Sequence, residues 1–405
     1  MNRDEIQILK HKEHLDARRV KIITFMSFLL GFSQALLTYV LSTYFVRAAG
    51  TDNIGIFYFI SYIIILFSLL NLHKFVRFLG KSQVFYFFLI LKIFAIAALI
   101  FLPPSPGGIL FLMFYIIFGV LGWVSIDIIL ESFSIDHRSG RIRGLYLTIA
   151  NAGFMIGPFI SSRILQSEGF SKIFLLSLIF NIIILLISFF GVGAVNHGQP
   201  PKTTVKELLK KVSKRKNVLK AYYIAFVLDF FYALTIIYVP LHLLSLGLSW
   251  HDLGFVFTIM LIPFVLIQYP AGMLADRKLG EKELLIFSLL VISLSTASIY
   301  FVETPSIALW SFILFITRIG AALIEVLRDS YFYKRIDGHD VDLIDFFRTS
   351  RPVAYILASI FSTLLLFVFP LKSVFILISV VAAIGLYPAF TLADNKAEEE
   401  IKAIS

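Results

Sequence analysis

Twelve apolar runs, each long enough to cross a bilayer, constrain this chain more than any motif in it. They lie at about 21–46, 54–72, 82–102, 108–130, 144–166 and 171–194. A second set lies at about 219–245, 252–274, 283–302, 306–328, 346–369 and 371–392. A helix needs about 20 apolar residues to span the hydrocarbon core, and every run meets that length. Barrel strands would be about half as long and would alternate in polarity, whereas these runs are continuous. The chain therefore reads as an all-α membrane protein of twelve spans, with the lipid bilayer as its first partner. Only 15% of its 405 residues are charged, against roughly 25% in an ordinary soluble domain. That balance excludes a soluble enzyme, a disordered chain and a nucleic-acid-binding module. Cysteine is absent, which removes disulfides, zinc–thiolate sites and thiol catalysis.

The placement of charge gives an orientation. With the N-terminus inside, the two tails and the loops after the even-numbered spans hold 30 of the 36 Lys and Arg. The opposite side holds Arg47, Arg163, Lys172 and Lys372. By the positive-inside rule both termini are expected in the cytoplasm, with the protein in the plasma (inner) membrane. Residues 1–20 lack the apolar core and cleavage site of a signal peptide and read as a retained cytoplasmic tail. A polar, basic linker at 195–218 separates a first set of spans, 21–194, from a second, 219–392, and 393–405 forms the other cytoplasmic tail.

The two sets look like copies. Phe28 aligns with Phe226 and Ala35 with Ala233 at an offset of 198; Gly55 aligns with Gly254 at 199; Arg77 and Gly80 align with Arg277 and Gly280 at 200. Asp127, Glu131 and Ser132 align with Glu325, Asp329 and Ser330, again at 198. Apolar matches are cheap in such a chain, so the charged and glycine matches carry the argument. Six spans per copy is an even number, which gives both copies the same orientation.

Two segments resemble a known family. AGMLADRKLGEKE at 271–283 resembles the loop signature of the major facilitator superfamily, G-x-L-A-D-R-x-G followed by basic residues. Gly272, Leu274, Ala275, Asp276, Arg277 and Gly280 fit, with one extra residue before Gly280 and Glu281 where a basic residue is usual. The first-half copy at 71–82 keeps Arg77, Gly80 and Lys81, with Leu72 and Val76 in place of the glycine and aspartate. Span 5 is similar to the family's antiporter motif, G-x8-G-x3-G-P-x2-G-G: Gly144, Gly153, Gly157 and Pro158 match, and Ser161 and Ser162 replace the last glycine pair. Gly153 and Gly157, one turn apart, open a flat strip for a neighbouring helix, and Pro158 permits a bend. Ordinary small-residue packing is the other reading of this strip.

The resemblance covers the chain from span 1 to span 12. It implies two six-helix bundles related by a pseudo-two-fold axis along the membrane normal, with a substrate near the midplane and rocking that alternates access. It implies a secondary transporter of a small molecule, not an enzyme, with no cofactor and no metal, functional as a monomer. The span 5 motif points to proton-coupled export. Proton-coupled uptake is the alternative within the class, and a non-transporting sensor or a membrane-embedded enzyme is the alternative outside it.

Ionisable residues inside spans cost about 2.5–3.5 kcal/mol each at the centre, so each calls for a role. Asp229 in span 7 and Arg318 in span 10 lie within about two turns of the expected bilayer centre. The resemblance puts spans 1, 4, 7 and 10 around the cavity. Two readings stay open: Asp229 as the proton site tuned by Arg318, or a fixed Asp229–Arg318 ion pair that cancels buried charge. Glu325 is the second choice for the proton. Asp127 and Glu131 share one face of span 4, and Glu325 and Asp329 repeat this in span 10, with Arg328 beside them. The resemblance makes a cytoplasmic latch of Arg77 with Glu131 and of Asp276 and Arg277 with Arg328 and Asp329, with Arg143 and Arg348 as further partners. Asp127 and Glu325 are expected roughly 12 Å nearer the cytoplasm than Asp229, at about 1.5 Å per residue, as candidates for substrate or proton contact. Gln34, Tyr39, Tyr238 and Asn151 read as cavity groups or as helix-to-helix hydrogen bonds. His242 reads as a wet interfacial residue. Lys92 in span 3 is expected to face inward, toward a partner that nothing in the sequence identifies.

Overall fold

The structure, a computed structural model, describes residues 3–133, 139–193, 205–275, 280–336 and 341–393; for some of these, Glu131 and 139–144 among them, only the backbone is described. Every regular element among the described residues is a helix. Among the described residues twelve helical stretches are long and apolar enough to cross a membrane. Spans 1 to 6 are Arg18–Ala49, Gly55–Leu79, Lys81–Phe101, Pro106–Leu130, Leu145–Gln166 and Phe170–Gly191. Spans 7 to 12 are Lys216–Ser245, Trp250–Leu274, Gly280–Ile299, Ile307–Tyr333, Phe346–Leu366 and Ser373–Phe390. The twelve runs read from the sequence are thus twelve helices. Phenylalanines 67, 94, 189, 190, 312 and 367 lie on their exposed faces, an apolar outer surface that suits lipid and not water.

Local chemistry sets the helix ends. Ser105 caps span 4 by accepting from Gly108 N at 3.2 Å, with Pro106 in the first turn. Ser249 and Asp252 form a reciprocal capping box at span 8, which satisfies two otherwise orphaned N–H groups. Gly80 and Gly280 open spans 3 and 9 with φ of 90° and 72°. Only glycine takes such values without strain, so the glycine shared by the two copies of the loop signature marks the same backbone bend in each.

Among the described residues four spans are broken: span 11 at Thr349, span 12 at Gly385, and spans 1 and 8. Span 1 consists of helices Arg3–Thr38 and Leu41–Ala49 with a turn at Tyr39–Val40. Just before the turn the Thr38 hydroxyl donates to the Gln34 carbonyl at 2.9 Å, a back-bond of the kind that bends helices. Span 8 breaks at Ile267 into Trp250–Leu266 and Gln268–Leu274. Pro270, in the first turn after the break, lacks the N–H that would bond the Leu266 carbonyl and continue the ladder across it. Pro158, by contrast, sits inside an uninterrupted helix, Ser139–Glu168.

The chain packs as two compact units, one of residues 1–38 and 67–200 and the other of 39–66 and 201–405. In the first, span 1 packs along spans 5 and 6, and span 3 along spans 4 and 6. In the second, span 7 packs along spans 11 and 12, and span 9 along spans 10 and 12. These are the same four pairings, as a duplicated scaffold requires. The second unit adds span 8 against span 10, and Leu41–Ala49 against span 7.

Candidate functional site

Span 7 carries a series of buried polar groups within the second unit. Asp229, Tyr232, Thr235, Tyr238 and His242 recur every three or four residues, and at 3.6 residues per turn they wind around the helix from Asp229 to the opposite side at Tyr238. Span 7 packs against spans 10, 11 and 12, so each group meets a particular neighbour.

Asp229 is the first of them and is 1% exposed. Its carboxylate accepts from Ser350 Oγ at 2.7 Å, from Arg351 Nε at 3.4 Å and from Arg328 Nη1 at 3.5 Å. Arg328 also donates to the Ala225 carbonyl at 3.1 Å, and its Nε lies 3.5 Å from Asp329. Charge-assisted bonds of this kind bind about twice as strongly as neutral ones. The partners of Asp229 are therefore Arg328 and Arg351, not Arg318. Arg351 and Ser350, in the first turn of the helix Ser350–Leu366, went unnoticed in the sequence; an arginine just inside span 11, next to Pro352, was the available signal.

Tyr232 is the second. Its hydroxyl donates to Glu325 Oε2 at 3.5 Å, and Gln268 Nε2 donates to the same oxygen at 2.8 Å. Gln268 reaches it from the first residue after the break in span 8. Glu325 thus meets the residue three places after Asp229 in span 7, and the two carboxylates lie within electrostatic reach of each other. They are neighbours, and not the widely separated pair that centring each run in the bilayer led one to expect.

Thr235 is the third and holds Arg318. Both terminal nitrogens of Arg318 donate to Thr235 Oγ1 at 3.2 Å. The guanidinium lies over the Phe231 ring, 4.7 Å from its centroid. Tyr39, at the break in span 1, lies within electrostatic reach of Arg318 and packs its ring on Phe257 with centroids 4.6 Å apart. Tyr238 and His242 complete the series. Tyr238 is fully buried and donates to Ser362 Oγ at 3.1 Å, a helix-to-helix bond. His242 is buried between Trp310 and Phe375, so the wet interfacial reading does not hold: aromatic rings, not water, surround it.

The expected latch residues fall into three groups. Asp276 and Arg277 lie outside the described residues, as do the side chains of Glu131 and Arg143 and the surroundings of Gly144. Arg77 is exposed, Arg348 half-buried, and Gly272 in ordinary contact with Val326. Arg328 and Asp329 pair with each other, but Arg328 also reaches inward to Asp229, which merges two clusters that the sequence kept apart. A buried ion pair that the sequence missed lies at Glu281. This fully buried carboxylate at the start of span 9 meets Lys334 Nζ at 2.5 Å and accepts from Ser330 Oγ at 2.8 Å. Its departure from the basic pattern of the signature was the visible sign.

In the first unit, Gly153 and Gly157 face span 1. A Cβ on Gly153 would overlap the Phe28 carbonyl, and one on Gly157 would overlap Ala35. Gln34 accepts from Trp123 Nε1, while Asp127 and Asn151 are half-buried. Lys92 is buried, with its ammonium 5.2 Å from the centroid of the Tyr115 ring; this cation–π contact is the partner that the sequence left unidentified.

The family profile of the Major Facilitator Superfamily matches residues 124–339 and 246–404. No curated protein matches the chain in sequence. Among solved structures, the chain is similar to the POT family transporter PepTSo, with a TM-score of 0.74 at 11% identity over 93% of this chain and 97% of that one. It is also similar to the nucleoside transporter NupG, with a TM-score of 0.71 at 14% identity over 93% and 99%. A third likeness is to an auto-inhibited POT family peptide transporter, with a TM-score of 0.73 at 12% identity over 93% and 96%. At such identities these likenesses speak for the fold alone. With the profile covering more than half of the chain, and twelve spans paired in the same way in each half, the protein belongs to the Major Facilitator Superfamily.

Proposed function

We propose that the protein exports a small molecule in exchange for protons, by alternating access, from a plasma membrane with both termini in the cytoplasm. It acts as a monomer. The observation that carries the proton coupling is the setting of Glu325. Two guanidiniums already compensate Asp229, so a proton there would leave Arg351 without its anion and Arg328 with Asp329 alone. Glu325 instead takes hydrogen bonds from two neutral groups, Gln268 and Tyr232. A hydroxyl can turn from donor to acceptor, so Tyr232 serves Glu325 with or without a proton. An ionisable group inside a span is by default a functional one, and this one changes charge without stranding a partner. The proton site is therefore Glu325, and Asp229 with Arg328 and Arg351 ties spans 7, 10 and 11 together. Export is supported by the glycines of span 5, whose backbone meets span 1 as the antiporter motif requires.

The test is transport by purified protein in liposomes, with a panel of small organic ions and an imposed pH gradient. Glu325→Gln is expected to abolish gradient-driven flux and to leave exchange without a gradient intact. Gradient-driven flux at the wild-type rate in that variant would remove Glu325 as the proton site. Flux in the same direction as the protons would replace export with uptake.

A further inference from the structure

Arg318 differs from the other buried arginine of span 10 in what answers its charge. Arg328 meets two carboxylates, Asp229 and Asp329. Arg318 is 1% exposed, and among the described residues no carboxylate lies within ion-pair distance of it. A guanidinium has five N–H donors. Both terminal nitrogens bond one neutral oxygen, Thr235 Oγ1, and the other polar group beside the guanidinium is the Tyr39 hydroxyl, also neutral. The Thr235 hydroxyl donates its own proton to the Phe231 carbonyl at 2.8 Å, which turns its lone pairs toward the arginine. Thr235 therefore aims the guanidinium without cancelling its charge. Glu325 bonds to the hydroxyl of Tyr232, whose ring lies 6.0 Å from the guanidinium.

A buried cation without a counter-ion is among the costliest things a protein can hold, and a bound anion removes that cost. The planar fork suits a carboxylate or a phosphate. The faces of Phe231 and Tyr232 beside it, and the Tyr39–Phe257 pair, supply apolar surface. We propose that Arg318 receives the anionic group of the transported molecule, an organic anion with an apolar body, and that Tyr39 covers the site in the conformation described. The proposal rests on the transporter reading and deepens it by naming the substrate class.

Thermal unfolding of the purified protein in detergent tests it, with benzoate, hexanoate and phenyl phosphate as probes and uncharged benzamide as the control. The anions are expected to stabilise the wild type and benzamide is not. Arg318→Lys should weaken the anions about tenfold, because the ammonium keeps the charge and loses the fork, and Arg318→Gln should abolish their effect. Should Arg318→Gln fail to fold, Arg318→Lys and Thr235→Val decide the matter, since both should weaken the anions. The proposal is overturned if no anion stabilises the wild type, if benzamide stabilises it equally, or if Arg318→Lys binds the anions as the wild type does. The measurement uses no pH gradient, so an error in the assignment of Glu325 leaves its outcome unchanged.

Discussion

Span 1 meets span 5 in one half of the molecule as span 7 meets span 11 in the other, yet the two seams are built from opposite materials. Gly31 and Asp229 stand 198 residues apart, the offset that relates these spans. A Cβ on Gly31 would overlap the Ala150 carbonyl, and Gly153 and Gly157 are equally tight against span 1. The first seam is thus backbone against backbone, held by dispersion between closely fitted surfaces. In the second, Asp229 fills the equivalent place and binds Ser350, Arg351 and Arg328. Deeper in the first unit Asn181 donates to Ser33 Oγ at 2.6 Å and to the Ser177 carbonyl at 2.7 Å, and the buried Lys92 lies against the Tyr115 ring, while the second holds Asp229, Glu325, Arg318 and Arg328. At these equivalent seams one scaffold has been used twice, once for close packing and once for charge.

The comparison breaks most visibly at Arg328. Arg328→Gln leaves Asp229 with the Ser350 hydroxyl and a single cation, Arg351, whose side chain is half exposed. The loss is expected at about 3–5 kcal/mol, the range for a buried pair deprived of one partner. Thermal unfolding in detergent measures it, and Asp229→Asn in the same background should restore most of the stability. A loss no larger than that of a surface pair would mean that the second seam does not depend on its charges. The first seam is probed by Gly153→Leu, expected to cost about 1–3 kcal/mol through overpacking, read by the same method. A variant as stable as the wild type would show that spans 1 and 5 can separate without loss. The smallest effect is expected at Glu303 and Lys372, an ion pair in the loops of the second unit. It separates the presence of charge from its burial. The hydrogen bond and the positive charge of Lys372 hold the Glu303 carboxyl below its ordinary range. Its contribution is therefore full above that range and lost as pH falls through the lowered value. Glu303→Gln should remove this acid-side slope and change neutral-pH stability little, as exposed pairs do.

Much of this was legible in the sequence, and the part that was not has a physical cause. Span number follows from run length alone, because lipid leaves the backbone no choice but helix. The bend at Gly80 and Gly280 was legible because a positive φ selects glycine in both copies. The partners of Asp229 were not. They depend on how far span 7 is shifted along its axis against spans 10 and 11, and a uniformly apolar run carries no mark of its own depth. Placing Asp229 opposite Arg318 assumed that each run is centred in the bilayer, whereas the contacts pair Asp229 with Arg328 and Thr235 with Arg318. Glu281 shows the reverse case. Its exception to the signature was in view, but its partners, Ser330 and Lys334, belong to another helix and only the fold brings them close.

The break at Tyr39–Val40 also bears on the anion site. Span 1 leaves its helical ladder at the residue whose hydroxyl lies beside the Arg318 guanidinium. A residue in a turn is not bound by the i-to-i−4 hydrogen bonds that fix its helical neighbours. The arginine is thus met by a part of span 1 whose position the helix itself does not dictate.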